Sequence, residues 1–416
     1  MEWYPEKPVP RSQKGGIRKR PYQKSKDAFL LDYKALIDYA SRHRFDGVVI
    51  FGFLRDVHGG IRYSQELCRY AEDRDVGIMP GVGVYHYGGY FWEGNHRFNL
   101  ATFLQGKPGL RALDKDGKRI EAVCPSKEGW QKWLRQGMRW LYETFEIKGV
   151  NVESNEEVIC HCEDCRKARQ AWVGDDLEWM KTDFLTLKPA LETALEIDPS
   201  SWVSYATYIG FDKKTMESPP GFVKLLPDNA IAQWTLTYIL DDWSEGARPP
   251  TKRSTALGHF NRKWLRQRIR VDEVPRLLSE CHLSIIRNLC RRSVECGMEG
   301  ALIYGEHPDS NVLNELNYLA FQDFSQNPGL SLEEFAEKRL TPLYGGDDAA
   351  SDVMKIIHAV ETRVLNMETV KENLRIAKTR LDSVSDREAY RRWGQIVTLL
   401  EELVHSVIVK EGLPPS

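Results

Sequence analysis

Gly149-Val-Asn-Val-Glu153 is a short β-branched run that ends on an acid and sits between two long helical patterns. Upstream, the stretch from Ser126 to about Glu146 places Trp130, Trp133, Leu134, Met138 and Leu141 on one side at helical spacing, with Ser126 expected as its N-cap. Downstream, Leu177–Glu196 has the same helical character. A strand flanked by helices in this way is the crossover unit of a parallel sheet, because parallel neighbours need a long return connection.

The same alternation extends in both directions. Strands are expected near Gly16–Gln23, at Asp46–Phe53, Val76–Tyr85, Gly149–Glu153, Trp202–Tyr208, Ala230–Tyr238, Thr255–Phe260 and Gly300–Gly305. Helices are expected at Asp32–His43, Ser64–Asp73 and Val274–Cys296, and His86–Ala122 reads as an aromatic, Gly-rich excursion. Eight strands with helices between most of them predict an α/β fold, a (β/α)8 TIM barrel. No Gly-x-Gly-x-x-Gly turn follows a strand, which counts against an open dinucleotide-binding sheet.

The barrel is expected over residues 1–310, followed by a C-terminal helical region over 311–416. In that region Asn311–Phe324 is helical, Ser331-Leu-Glu-Glu334 is a capping-box pattern, and Asp348–Val409 predicts two antiparallel helices broken near Ser383-Val-Ser-Asp386. Exposed terminal helices make a homodimer contact a further expectation.

Composition narrows the class. The chain has 416 residues, 42% of them hydrophobic, enough for a barrel and an appendage. A net charge of −2 gives no general attraction to nucleic acid or anionic membrane. No apolar run reaches the roughly 18 residues of a membrane span. Met1-Glu-Trp-Tyr-Pro-Glu6 has no apolar leader core, so the expected location is the cytoplasm, or the periplasm or exterior with a leader removed. The 12 Trp and 17 Tyr supply flat faces of the kind that stack on sugar rings.

Chemistry on such barrels sits at the carboxyl ends of the strands. Reading those ends in order gives Arg55, His86, Glu153 with Glu156, Tyr208, Trp234 with Tyr238 and Asp242, His259, and Tyr304 with Glu306. Acids and aromatics therefore gather on one rim. A pair of carboxylates is what glycosidic cleavage needs, one protonated to donate to the leaving oxygen and one ionised as nucleophile or base. A lone acid after a strand is more often a helix cap. Glu153 differs because it continues an apolar strand, where an unused charge costs several kcal/mol. The catalytic candidates are Glu153, Glu156 and Glu306. Arg55, His86, Tyr208, Trp234, Tyr238, Asp242, His259 and Tyr304 are expected to shape a carbohydrate pocket, with Trp234 and Tyr238 more in the wall than in the chemistry.

Cys160-His-Cys-Glu-Asp-Cys165 follows the acidic strand end. Three soft ligands at this spacing suit a structural zinc, with Cys124 or His161 as the fourth; a disulfide or free thiols are the alternatives. Catalysis itself is expected to need no cofactor.

Val152-Glu-Ser-Asn-Glu156 followed by this cysteine run resembles barrel proteins related to glycoside hydrolase families 20 and 67, the β-hexosaminidase-like and α-glucuronidase-like enzymes. Cys124-Pro-Ser126, Asn314-Glu-Leu-Asn317 and Asn327-Pro-Gly-Leu-Ser331-Leu-Glu-Glu-Phe335 add to the likeness, which extends from about Gly16 to Gly346. The resemblance implies exo-acting cleavage of a sugar, with the strand-four acid on Glu153 or Glu156. It also marks a departure. Family 20 enzymes carry an adjacent Asp-Glu pair used with a substrate acetamido group, whereas Glu153 and Glu156 stand three apart here. A non-catalytic glycan-binding barrel and a metal-dependent hydrolase are the competing readings.

Overall fold

The computed structural model describes residues 25–416 except 84–90, 154–157, 175, 211–216, 236–246, 260–280, 305–307, 309–310, 362–366 and 412–416. The chain divides into two units, one of Met1–Leu257 with Cys296–Glu299, the other of Gly258–Glu295 with Gly300–Ser416.

The first unit begins with α1 (Lys26–Arg42), capped by Ser25, whose side chain accepts from the Ala28 amide at 3.3 Å. Then come β1 (Gly47–Phe51), α2 (Gly60–Glu72) and β2 (Gly77–Gly83). The excursion expected over 86–122 contains more order than its composition suggested. It holds α3 (Leu100–Leu104) and a hairpin, β3 (Arg111–Leu113) with β4 (Arg119–Val123). The signal for its turn was Asp114-Lys-Asp-Gly117, where Asp114 accepts from the Asp116 and Lys118 amides and Gly117 takes a φ of 76°.

Next are α4 (Glu128–Thr144), β5 (Gly149–Glu153), α5 (Glu163–Gln170), α6 (Glu178–Ile197), β6 (Trp202–Gly210), β7 (Ile231–Thr235) and β8 (Arg253–His259). Ser126 does not cap α4. Lys127 holds the N-cap position without a side-chain bond, and the Ser126 hydroxyl lies 3.1 Å from the Cys165 sulfur.

The strands pair in parallel and in chain order, β1 with β2, β2 with β5, β5 with β6, β6 with β7 and β7 with β8. The register puts Gly83, Glu153, Ala206, Gln233 and Thr255 in one row, each the partner of the next. Side chains alternate along a strand, so this row and the one two residues earlier share a face. The opposite face carries Val150, Val152, Val203, Tyr205, Ala232 and Trp234. It meets the helices, with Tyr205 packing edge-on against Phe184 of α6 and against Phe222.

The second unit contains α7 (Leu283–Glu295), β9 (Gly300–Tyr304) and α8 (Val312–Gln326), the last capped by Asn311 through the Leu313 and Asn314 amides. The expected capping box at Ser331 is present, with Ser331 and Glu334 bonding each other's backbone amides. Asp323 is buried and held by Arg339 in a bidentate pair at 2.6 Å and by Lys338 at 3.1 Å. Burial alone would raise its pKa, but these cations hold it below the usual carboxylate value. In the terminal region the described residues hold α11 (Asp347–Glu361), α12 (Met367–Ser383) and α13 (Arg387–Glu411), preceded by the short α9 (Leu332–Phe335) and α10 (Thr341–Tyr344). The break near Ser383 is where the sequence put it. Residues 362–366, between α11 and α12, lie outside the described residues.

Among the described residues the main sheet has seven strands, mostly parallel, as the α/β reading required. The first expected strand, near Gly16–Gln23, lies outside the described residues. Among the described residues no helix is long and apolar enough to cross a membrane.

Candidate active site on the inner face of the sheet

Glu153 ends β5 and is 4% exposed. Its neighbours in the row are Gly83 on one side and Ala206 on the other, so backbone and a single methyl group flank the carboxylate. Two residues earlier, Asn151 accepts a 2.7 Å hydrogen bond from the Ser204 hydroxyl, and both are buried. That pair forms a polar floor beneath the acid. In the same lower row Gly81 stands beside Phe51, whose ring leaves no room for a Cβ: one at Gly81 would come within 2.1 Å of the ring.

Farther along, Gln233 Oε1, Thr235 Oγ1 and Thr255 Oγ1 are buried and have no hydrogen-bond partner among the described residues. All three sit on the Glu153 face by register and alternation. A buried strand in a parallel sheet is ordinarily a continuous apolar run. Each oxygen left unsatisfied costs about 1–3 kcal/mol, so three on one face ask for hydroxyl or water partners. The sequence reading missed Asn151, Ser204, Gln233, Thr235 and Thr255. Their signal was available as polar residues two apart inside apolar runs, Asn151-Val-Glu153 and Gln233-Trp-Thr235.

The loop after β1 makes a rigid wall. The Arg55 guanidinium pairs with Glu93 at 2.7 Å and is almost wholly buried. It lies over Gly52, whose φ of 73° and missing Cβ admit it. Glu93 was also missed. Its backbone joins the two loops, donating to the Leu54 carbonyl at 2.8 Å and accepting from the Asp56 amide at 3.1 Å. Asp56 accepts from Trp92 Nε1 at 2.6 Å and from the Asn95 amide at 2.8 Å, and His58 stacks on Phe29. Arg55 is therefore placed at the strand ends with its charge already matched.

Trp234, expected to shape the pocket, has the opposite parity to Gln233. It is fully buried on the helix side, donates to Thr251 Oγ1 at 3.0 Å and stacks on Phe222. Glu156, His86, Tyr238, Asp242 and Glu306 lie outside the described residues, and for Tyr208, His259 and Tyr304 only the backbone, in β6, β8 and β9, is described.

A cavity of about 590 Å³ opens elsewhere, between α3 and α4, lined by Arg97, Phe103, Lys107, Trp133, Arg139 and Trp140 among others. Its lining holds no acid from the strand ends.

The cysteines come together as the spacing suggested. The sulfurs of Cys124, Cys160, Cys162 and Cys165 all lie within 4.8 Å of one another. His161 is not one of the four; its backbone amide donates to the Leu113 carbonyl of β3 at 2.8 Å, tying the segment to the hairpin.

No protein-family profile and no curated protein matches the chain. Solved structures similar to it include the β-N-acetylhexosaminidase from Bacteroides fragilis NCTC 9343, at a TM-score of 0.45 and 15% identity over 78% of this chain and 67% of that one. A variant of the Thermobaculum terrenum O-GlcNAc hydrolase has a TM-score of 0.46 and 11% identity, over 90% and 78% of the two chains. A GH20 catalytic module of the pneumococcal exo-β-D-N-acetylglucosaminidase StrH has a TM-score of 0.40 and 12% identity, over 92% and 94%. The fold described above stands on the chain's own strand order and register.

Proposed function

We propose that this protein is an exo-acting glycoside hydrolase whose general acid is Glu153. The observation that carries the reading is the buried carboxylate at the carboxyl end of a central parallel strand, beside unsatisfied amide and hydroxyl oxygens on the same face. A sugar offers several hydroxyls that donate to such oxygens. A carboxyl group facing the leaving oxygen protonates it as the bond to the anomeric carbon breaks. The second carboxylate, assigned to Glu306 or Asp242, stabilises positive charge at that carbon as nucleophile or activates water as base. Glu156 is the alternative acid. Because Val152 precedes Glu153, the chemistry uses two separated carboxylates rather than an adjacent acidic pair and a substrate acetamido group.

Aryl glycosides and oligosaccharides spanning neutral, amino and uronic sugars test the reading, with Glu153→Gln, Glu156→Gln and Glu306→Gln prepared separately. The expected result is turnover of one sugar class by the parent protein and a loss of about 10²–10⁴-fold in the variant lacking the acid. Full rate in all three variants would sink the assignment. Binding of a sugar with no turnover would replace it by a glycan-binding barrel.

A further inference from the structure

We propose that Cys124, Cys160, Cys162 and Cys165 bind one zinc ion in a closed tetrahedral site that clamps the segment just before α5 to the β3–β4 hairpin and to the start of α4. Four sulfurs around zinc at about 2.3 Å lie about 3.8 Å apart along the edges of the tetrahedron. The Cys124 sulfur is 3.5 Å from that of Cys162 and 3.7 Å from that of Cys165, and every pair is within 4.8 Å. A disulfide would need about 2.05 Å. The ligands come from three places in the chain: Cys124 directly after β4, Cys160 seven residues after Glu153, and Cys162 with Cys165 at the start of α5.

The surroundings suit thiolates. Cys162 is the N-cap of α5, and its sulfur accepts from the Cys165 amide at 3.4 Å. The positive end of α5 therefore faces the cluster. The Ser126 hydroxyl reaches the Cys165 sulfur, and Lys127 pairs with Asp164 across the site at 3.3 Å. Cys124, Cys160 and Cys165 are buried, which leaves no open coordination position for substrate or a reacting water. The site is thus structural, and a metal-dependent hydrolase built on it is disfavoured by its own geometry. The four remaining cysteines, Cys68, Cys281, Cys290 and Cys296, are buried and stand outside the cluster.

The test is the metal content of the full chain, purified with reductant and without added metal. One zinc per chain is expected. Cobalt(II) exchanged into the site should give the thiolate-to-metal charge-transfer band of a tetrathiolate. Cys162→Ser keeps an N-cap for α5 because serine caps as well as this thiol does. It should still fold, and should surrender its metal to a chelator that the parent withstands. Cys68→Ser should keep full zinc. That chelator should lower the melting temperature of Cys162→Ser and leave the parent's unmoved, whereas one strong enough to strip the parent should lower the parent's melting temperature as well. A metal-free protein with all four thiols free to alkylate, a disulfide among the four, or iron in place of zinc would each overturn the proposal. None of these readouts uses glycosidase activity, so failure of the Glu153 assignment would leave this result standing, and the reverse.

Discussion

The two faces of one parallel sheet use their buried side chains differently. On the helix side β5, β6 and β7 present Val150, Val152, Val203, Tyr205, Ala232 and Trp234, all buried and all but Ala232 branched or aromatic. On the other side the same strands present Asn151, Glu153, Ser204, Gln233 and Thr235, buried as deeply but polar. Burial is equal, so exclusion from water does not distinguish the faces. What does is satisfaction. The Trp234 and Tyr205 polar atoms have partners in Thr251 and Asp183, while three inner oxygens have none among the described residues. One face satisfies its buried polar atoms, and the other, among the described residues, leaves three buried oxygens without a partner.

Substitutions can break this comparison. Glu153→Gln should have the largest effect, a fall in kcat/KM of about 10²–10⁴-fold with a melting temperature close to the parent's. A large loss of stability with unchanged rate would move Glu153 to the structural face. Trp234→Ala should act in reverse, costing about 3–5 kcal/mol in denaturant unfolding because a fully buried ring is removed. If its main effect fell on KM with stability intact, the parity argument would be wrong.

Gly81→Ala should cost about 1–3 kcal/mol, since its methyl meets the Phe51 ring and overpacking is relieved only by moving that ring. Equal stability would mean the inner floor is looser than the Phe51 contact implies. The smallest effect is expected for Thr235→Val. Removing an unsatisfied buried hydroxyl in a nearly equal volume should leave stability unchanged or raise it by about 1 kcal/mol. Sugar affinity, measured calorimetrically, should weaken in the same variant. A clear loss of stability would show that the hydroxyl has a structural partner.

Much of the architecture was legible before any coordinates. β5 falls on Gly149–Glu153 as read, and the strands at Gly47, Gly77, Trp202, Ile231, Arg253 and Gly300 begin within two residues of expectation. Their β-branched runs are bounded by charged or Gly-rich segments, so period and punctuation agreed. The β3–β4 hairpin was missed because its strands are short and its exposed positions polar, which leaves little hydrophobic alternation to detect. Ser126 was misread as a cap because serine before a helix has two uses for its hydroxyl, and here the Cys165 sulfur takes it.

The site divides along the same line. That Glu153 is a buried acid at a strand end was legible, because a carboxylate continuing an apolar run is read from the local sequence. The cysteine run was local as well. The sequence alone therefore determined the periodicities: where strands and helices lie, which acid ends a strand, and which soft ligands stand close together. Tertiary structure decided which alternate set of side chains faces inward, because that depends on the register with Ser204 and Gln233 on neighbouring strands. It placed Trp234 outside, and it chose Cys124 over His161 as the fourth thiol-site member. Both decisions join residues tens of positions apart, and only the closed packing of strand against strand and hairpin against loop brings them within bonding distance.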